Sequence, residues 1–182
     1  MSVPLDFRVV YYPDPVLRKV AKPVEAFDDE LRATVAAMFD LMYRSEGCGL
    51  AAPQTGLERR ILVLNPTGDP AQKEHELALV NVTIVERSGP ITPHEEGCLS
   101  FPQIYAEIKR PERCRVVAFD PAGNKHETEY SGLLARVVQH EYDHLEGVLL
   151  VDRMSPADKA RNKAALAQLV DSYRRSQSAG AR

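Results

Sequence analysis

Apolar side chains recur at Leu31, Val35, Met38 and Met42, the spacing of one helical face, and predict a helix over Asp28–Arg44. Asp28 can cap its first turn, Asp29 and Glu30 suit the positive end of its dipole, and Gly47 and Gly49 end it. A short helix is expected within Pro13–Ala21. Ile61–Leu64 is a brief apolar run typical of a buried strand, and Leu77–Arg87, Tyr105–Lys109, Arg113–Phe119 and Lys125–Tyr130 also read as strands. Asp120-Pro-Ala-Gly123 makes a turn between the last two. A second helix is predicted over Gly132–Glu146, with Gly147 as its stop. A third begins at Ser155-Pro-Ala-Asp158, where a capping serine precedes proline at the first helical position. Its apolar stripe is Leu166, Leu169, Val170 and Tyr173; it occupies residues 155–176, and residues 177–182 read as a frayed tail. Meandering strands with helices segregated from them give an α+β fold, and 182 residues fit one domain over 1–182.

Composition narrows the classes of function. A net charge of −3 gives no overall basic footprint for DNA or RNA. No apolar run approaches a membrane span, and Met1–Val10 lacks the basic region and apolar core of a secretory signal. A cytoplasmic protein is the expectation. The three cysteines, Cys48, Cys98 and Cys114, are an odd set for a disulfide framework. Each reads as a buried small residue or as a reactive or metal-binding thiol.

The most informative segment is His140-Glu-Tyr-Asp-His144. Two histidines four apart share one helical face and can reach one metal ion, while Glu141, beside the first, can reach a water at that ion without being a ligand. Leu133 and Val137 precede His140 on the same side, whereas Arg136 and Gln139 lie off that stripe, so the ligands extend an inward-facing apolar face. The pairs beginning at His75, His94 and His126 lack the second histidine, and these three side chains are expected to be solvated.

A catalytic site needs a third ligand and an open position. Downstream, Asp152, Asp158 and Asp171 are the acidic candidates, and Asp158 is better explained by a helix cap. Upstream, Cys98 in the loop Glu96-Gly-Cys-Leu-Ser100 would complete a Cys-His-His set, although a cysteine there also suits a buried structural role. A Gly-rich element, Gly47-Cys-Gly-Leu-Ala-Ala-Pro-Gln54, would admit an extended peptide backbone, and Gln54 can donate to a developing oxyanion. Two other readings stay open. A metallopeptidase would need the downstream ligand and have no use for Cys98; a structural metal module would need a fourth ligand, Cys48 or His94, and no use for Glu141.

Taken together and in this order, the three elements resemble the G-x-G-x-A-A-x-Q, E-G-C-x-S and H-E-x-x-H motifs of the peptide deformylase family. The resemblance extends through Tyr12-Pro-Asp-Pro-Val-Leu-Arg18, Gly132-Leu-Leu-Ala-Arg136 and Leu145-Glu-Gly147, to about Ser155. It implies hydrolytic removal of the formyl group from N-formyl-methionyl nascent peptides, with release of formate. Cys98, His140 and His144 are then the metal ligands, Glu141 the general base and acid, and Gln54 with the backbone N–H of Leu99 the oxyanion donors. Leu133, Val137 and Cys48 would line the methionine pocket, and backbone at Gly47, Gly49 and Gly97 would take the substrate as an added strand. A Cys-His-His site by itself reads as zinc; the resemblance implies Fe²⁺, with Zn²⁺, Ni²⁺ or Co²⁺ able to bind. It also suggests a Glu96–Arg110 ion pair beside Cys98. Cys48, Gln103 and Tyr105 depart from the residues common in the family and alter the pocket rim, and a free Cys48 near the metal thiolate would make the site oxidation-sensitive. Lys159, Arg161, Lys163, Arg174 and Arg175 on the last helix are a solvated face or a contact for ribosomal RNA near the exit tunnel.

Overall fold

The computed structural model describes residues 6–180. A 3₁₀ turn at Pro15–Arg18 leads to α1, Asp29–Arg44. Asp28 caps α1 as its sequence suggests, accepting from the N–H of Leu31 at 2.9 Å. Strands β1 (Gly49–Ala51), β2 (Ile61–Leu64), β3 (Leu77–Cys98), β4 (Phe101–Phe119) and β5 (Lys125–Ser131) follow, then α2 (Gly132–Leu145). Three further helices close the chain: α3 (Leu150–Arg153), α4 (Pro156–Arg161) and α5 (Lys163–Gly180). The strands form one antiparallel sheet in sequential order, β1-β2-β3-β4-β5, so every neighbour is also the next strand along the chain. Helices stand apart from this meander, which makes the fold α+β.

Three apolar clusters hold the elements. Val35, Met38 and Met42 of α1 pack with Leu50, Ile61 and Val63 of β1 and β2. Val137, Val138 and Leu145 of α2 pack with Leu62, Leu79, Val116 and Cys114 on the sheet. Leu17, Phe101, Ile104 and Ile108 join Leu149 and Met154. The metal-motif helix α2 is thereby wedged against β1, β2 and β4, with its apolar face inward.

Strand limits differ from the sequence expectation. β3 runs on past Arg87 to Cys98, and the two short strands expected at 105–109 and 113–119 are one strand, β4. The expected strands stop short of Ser88-Gly-Pro90 and Pro111, but the sheet absorbs these residues at an irregularity. The β3–β4 register shifts between Ser88 and Ile91, Gly89 sits at φ +79°, and Pro111 pairs with Ile91. Glu96, Gly97 and Cys98 are consequently the end of a strand rather than a loop. The last helix also differs: it breaks at Asn162, and α5 continues to Gly180 instead of fraying after Ser176. Residues 181 and 182 of the expected tail lie outside the described part.

Candidate metal centre and cleft

Cys98 comes from the end of β3, and His140 and His144 from successive turns of α2. The Sγ of Cys98 and one ring nitrogen from each histidine lie within 4.8 Å of one another. His144 Nε2 is 3.3 Å from Cys98 Sγ. His140 turns its Nδ1 to Glu96 Oε2 at 3.0 Å, which leaves Nε2 for the centre of the cluster. One thiolate and two imidazoles suit a divalent transition ion and leave a coordination position open. Among the described residues this is the one such cluster of three or more donors, and neither Cys48 nor His94 belongs to it. His94 is exposed, as are His75 and much of the β3 hairpin arm, while Cys114 is fully buried.

Glu141 lies against this cluster, 5% exposed, and its Oε2 has no hydrogen-bond partner in the protein. Burial pushes its carboxyl up to about 7, the electrostatic pull of His140 (in the metal-free protein) and of Arg110 offsetting only part of that. A carboxylate in this state can both take and return a proton near neutral pH. The other wall is β1. A Cβ built on Gly49 would fall 2.5 Å from Glu141 Oε1 and 2.9 Å from Val137 Cγ1, so glycine is what lets this strand run beside Glu141.

Gln54 is buried in the 3₁₀ turn after β1. Its Oε1 accepts from Ala51 N–H at 2.9 Å, which turns the amide NH₂ toward the centre, 3.2 Å from Ser100 Oγ and 3.6 Å from Cys98 Sγ. Leu99 occupies the β3–β4 turn, immediately after Cys98, with its side chain packed on Gly47. A cleft of about 660 Å³ opens over these groups. Its walls include Gly47, Cys48, Gly49, Gly97, Leu133 and Val137, with Gln103 and Tyr105 at the rim. Leu133 is 56% exposed at the mouth, whereas Val137 is buried within. Cys48 is exposed on the wall, and desolvation together with the Glu141 charge raises its thiol pKa, holding it as the neutral thiol.

Behind the histidines lies a charged network that was only partly legible in the sequence. Arg110 donates to both oxygens of Glu96, at 2.8 and 3.0 Å, and to Asp143 Oδ2 at 2.9 Å. Arg153 donates to both oxygens of Asp143, at 3.1 and 2.6 Å. Burial disfavours the charge on Glu96, but the bonds from His140 and Arg110 win and hold its pKa far below the usual carboxylate range. Arg136 and Gln139, off the apolar stripe by sequence, are in fact buried: the polar side of α2 faces this network and β4, not water. Thr92 and Arg153 gave no sequence signal, and Ser100 and Arg136 entered only as members of matching motif segments, with no role attached.

The family model for polypeptide deformylase matches residues 7–160. The chain is 49% identical over 148 residues to peptide deformylase 1B, chloroplastic/mitochondrial, of Arabidopsis thaliana, covering 81% of this chain and 54% of that protein. It is 42% identical over 169 residues to the peptide deformylase of Thermotoga sp. strain RQ2, covering 93% and 99%.

The chain belongs to the polypeptide deformylase family.

Solved deformylases have the same fold. A plant peptide deformylase 1B structure superposes with a TM-score of 0.91 at 43% identity, over 97% of this chain and 95% of that one. A Plasmodium falciparum peptide deformylase gives 0.90 at 40% identity, over 92% and 97%. The chain spans about half the length of the plant relatives it matches. No helix among the described residues is long and apolar enough to cross a membrane.

Proposed function

We propose that this chain hydrolyses the formyl amide of N-formyl-methionyl nascent peptides, releasing formate and a free N-terminus. One observation carries the reading: a Cys-His-His donor set, a buried carboxylate with a pKa near neutrality and an amide donor converge on one cleft. When held by Cys98, His140 and His144, a divalent ion supplies Lewis acidity and acidifies water. Glu141 accepts the proton of the attacking water and delivers it to the departing amine. Gln54 Nε2 and the Leu99 N–H donate to the formyl oxygen as it gains charge. Gly47, Gly49 and Gly97 leave backbone free for the peptide to join as an added strand. Leu133, Val137 and Cys48 receive the methionine side chain. The formyl carbon bears only hydrogen, so a tight fit there excludes acetylated and internal amides.

Fe²⁺ is the resident ion in this proposal, with Zn²⁺, Ni²⁺ and Co²⁺ able to use the same ligands; metal analysis after anaerobic purification tests it. The setting proposed is the cytoplasm of a bacterial-type cell, in keeping with three free thiols. Contact of the basic residues of α4 and α5 with ribosomal RNA belongs to the same proposal. Deleting residues after Ser155 should then reduce co-sedimentation with ribosomes at low salt, and unchanged co-sedimentation would remove that part alone.

The deciding experiment is formate release from formyl-Met-Ala-Ser by the Fe²⁺-loaded protein and by Glu141→Ala. Release by the parent, lost in the variant with its metal retained, supports the reaction and the role of Glu141. No release by a fully loaded parent overturns both.

A further inference from the structure

Glu96 is the hydrogen-bond partner of His140, and its own orientation is over-determined. Arg110 braces it from β4 through both oxygens. A second guanidinium, that of Arg136, reaches Oε1 at 2.7 Å. With His140 Nδ1 on Oε2, four donors meet a carboxylate that has about four acceptor sites. It has no remaining freedom to turn.

Arg136 is placed to do more than fill one of those sites. It lies one turn before His140 on α2, so it braces the carboxylate from the helix that carries the ligand. Its second NH donates to Thr92 O at 2.8 Å and Thr92 Oγ1 at 3.2 Å, and the first also reaches Ile108 O at 3.0 Å. The fork therefore ties α2 to β3 at Thr92 and at Glu96, the second of which lines the cleft. Arg110 cannot substitute, because its remaining NH group is committed to Asp143. Glu96 is the sole carboxylate that Arg136 meets among the described residues, and the Arg136 side chain is 11% exposed, so little water competes for it.

We infer that Arg136 is a positioning residue for the metal centre: it locks Glu96, and through Glu96 the ring of His140, while fixing the β3 wall to α2. The inference rests on Cys98, His140 and His144 being ligands; it does not depend on which amide is cleaved. Loss of a hydrogen-bonding partner behind a ligating histidine costs roughly 10–100-fold in metal affinity.

The test is the dissociation constant of the metal-free full chain for Co²⁺, read by chelator competition and by the thiolate-to-cobalt absorption band. Arg136→Met is compared with Gln139→Met. Gln139 is also buried on α2 and bonds Pro111 O and Ala135 O, but has no hydrogen bond to Glu96 or to a proposed ligand. Arg136→Met leaves Glu96 itself in place and should raise the constant roughly 10-fold, the low end of that range, and shift the band, whereas Gln139→Met should stay within about 2-fold of the parent, below that range. Parental affinity in Arg136→Met overturns the inference. So does an equal loss in both variants, since that would report general loosening of α2. If Arg136→Met does not fold, Arg136→Lys decides: it keeps a cation at Glu96 but not the planar fork. It should bind several-fold more weakly than the parent, and parental affinity there overturns the inference too. A parent that develops no cobalt band would instead refute the ligand assignment, and a parent that binds Co²⁺ without releasing formate would refute the reaction only.

Discussion

Gly49→Ala puts one methyl group where β1 runs past the proposed base. The φ of Gly49 lies outside the left-handed region, so conformation does not require glycine there; space does. The new Cβ would overlap Glu141 Oε1 at 2.5 Å, Glu141 Cδ at 2.9 Å and Val137 Cγ1 at 2.9 Å. Val137 and Glu141 are neighbours on a helix buried against the sheet, and β1 is held to β2 from Gly49↔Leu64 to Ala51↔Leu62, so neither side yields freely. Overpacking of this kind costs about 1–3 kcal/mol, or roughly 2–10 °C in Tm for a chain of this size. Displacing a reacting carboxylate by about 1 Å costs on the order of 100-fold in rate, equivalent to about 3 kcal/mol in the barrier. The assay is formate release at matched metal content, with Tm measured in parallel. Gly47→Ala is the internal comparison, because its Cβ would meet the tip of the Leu99 side chain, a flexible methyl, and not the base. It should lose far less rate. Parental rate and Tm in Gly49→Ala, or an equal rate loss in Gly47→Ala, would refute the steric account.

Three further outcomes are expected. In the metal-free chain, Glu141 titrates near 7 when folded against an ordinary 4.5, so folding takes up a proton between those values and stability falls as pH rises through that window. Glu141→Gln removes the effect: its stability advantage over the parent should grow from near zero at pH 4 to at most about 3 kcal/mol at pH 8, and denaturant titrations giving a pH-independent difference would contradict it. Gly147→Ala, at φ +69° with its Cβ 2.4 Å from the backbone oxygen of Arg18, should cost about 3 kcal/mol, whereas Gly132→Ala, at φ +59° with open space around it, should cost about 1 kcal/mol; equal losses in Tm would refute the distinction. Arg110→Met removes three charge-assisted bonds but leaves Glu96 held by Arg136 and His140 and Asp143 held by Arg153, so it should cost about 1–3 kcal/mol in unfolding free energy, no measurable loss counting against that network.

The sequence alone determined the parts that depend on local spacing. Helical periodicity placed α1 and α2 nearly to the residue, and four-residue spacing put His140 and His144 on one side of α2. The order of the three motifs pointed to Cys98 and Gln54 from distant segments. Local spacing misled where partners lie far off in the chain. The expected strands ended at Arg87 and Lys109, just before Ser88-Gly-Pro90 and Pro111, whose cost is local, while the pairing of Ile91 with Pro111 across the hairpin compensates it and keeps β3 and β4 continuous. Arg136 and Gln139 read as the outer side of α2 because an apolar stripe reports one buried face and nothing about what covers the other. Only the tertiary structure brings Glu96, Thr92 and Ile108 against that second face, where both NH₂ groups of a buried guanidinium find acceptors. It alone, too, brings Gly49 within contact of Glu141. Burial and close approach between segments are properties of the assembled chain: they set the carboxylate's proton affinity and the room around it, and no spacing along the sequence encodes either.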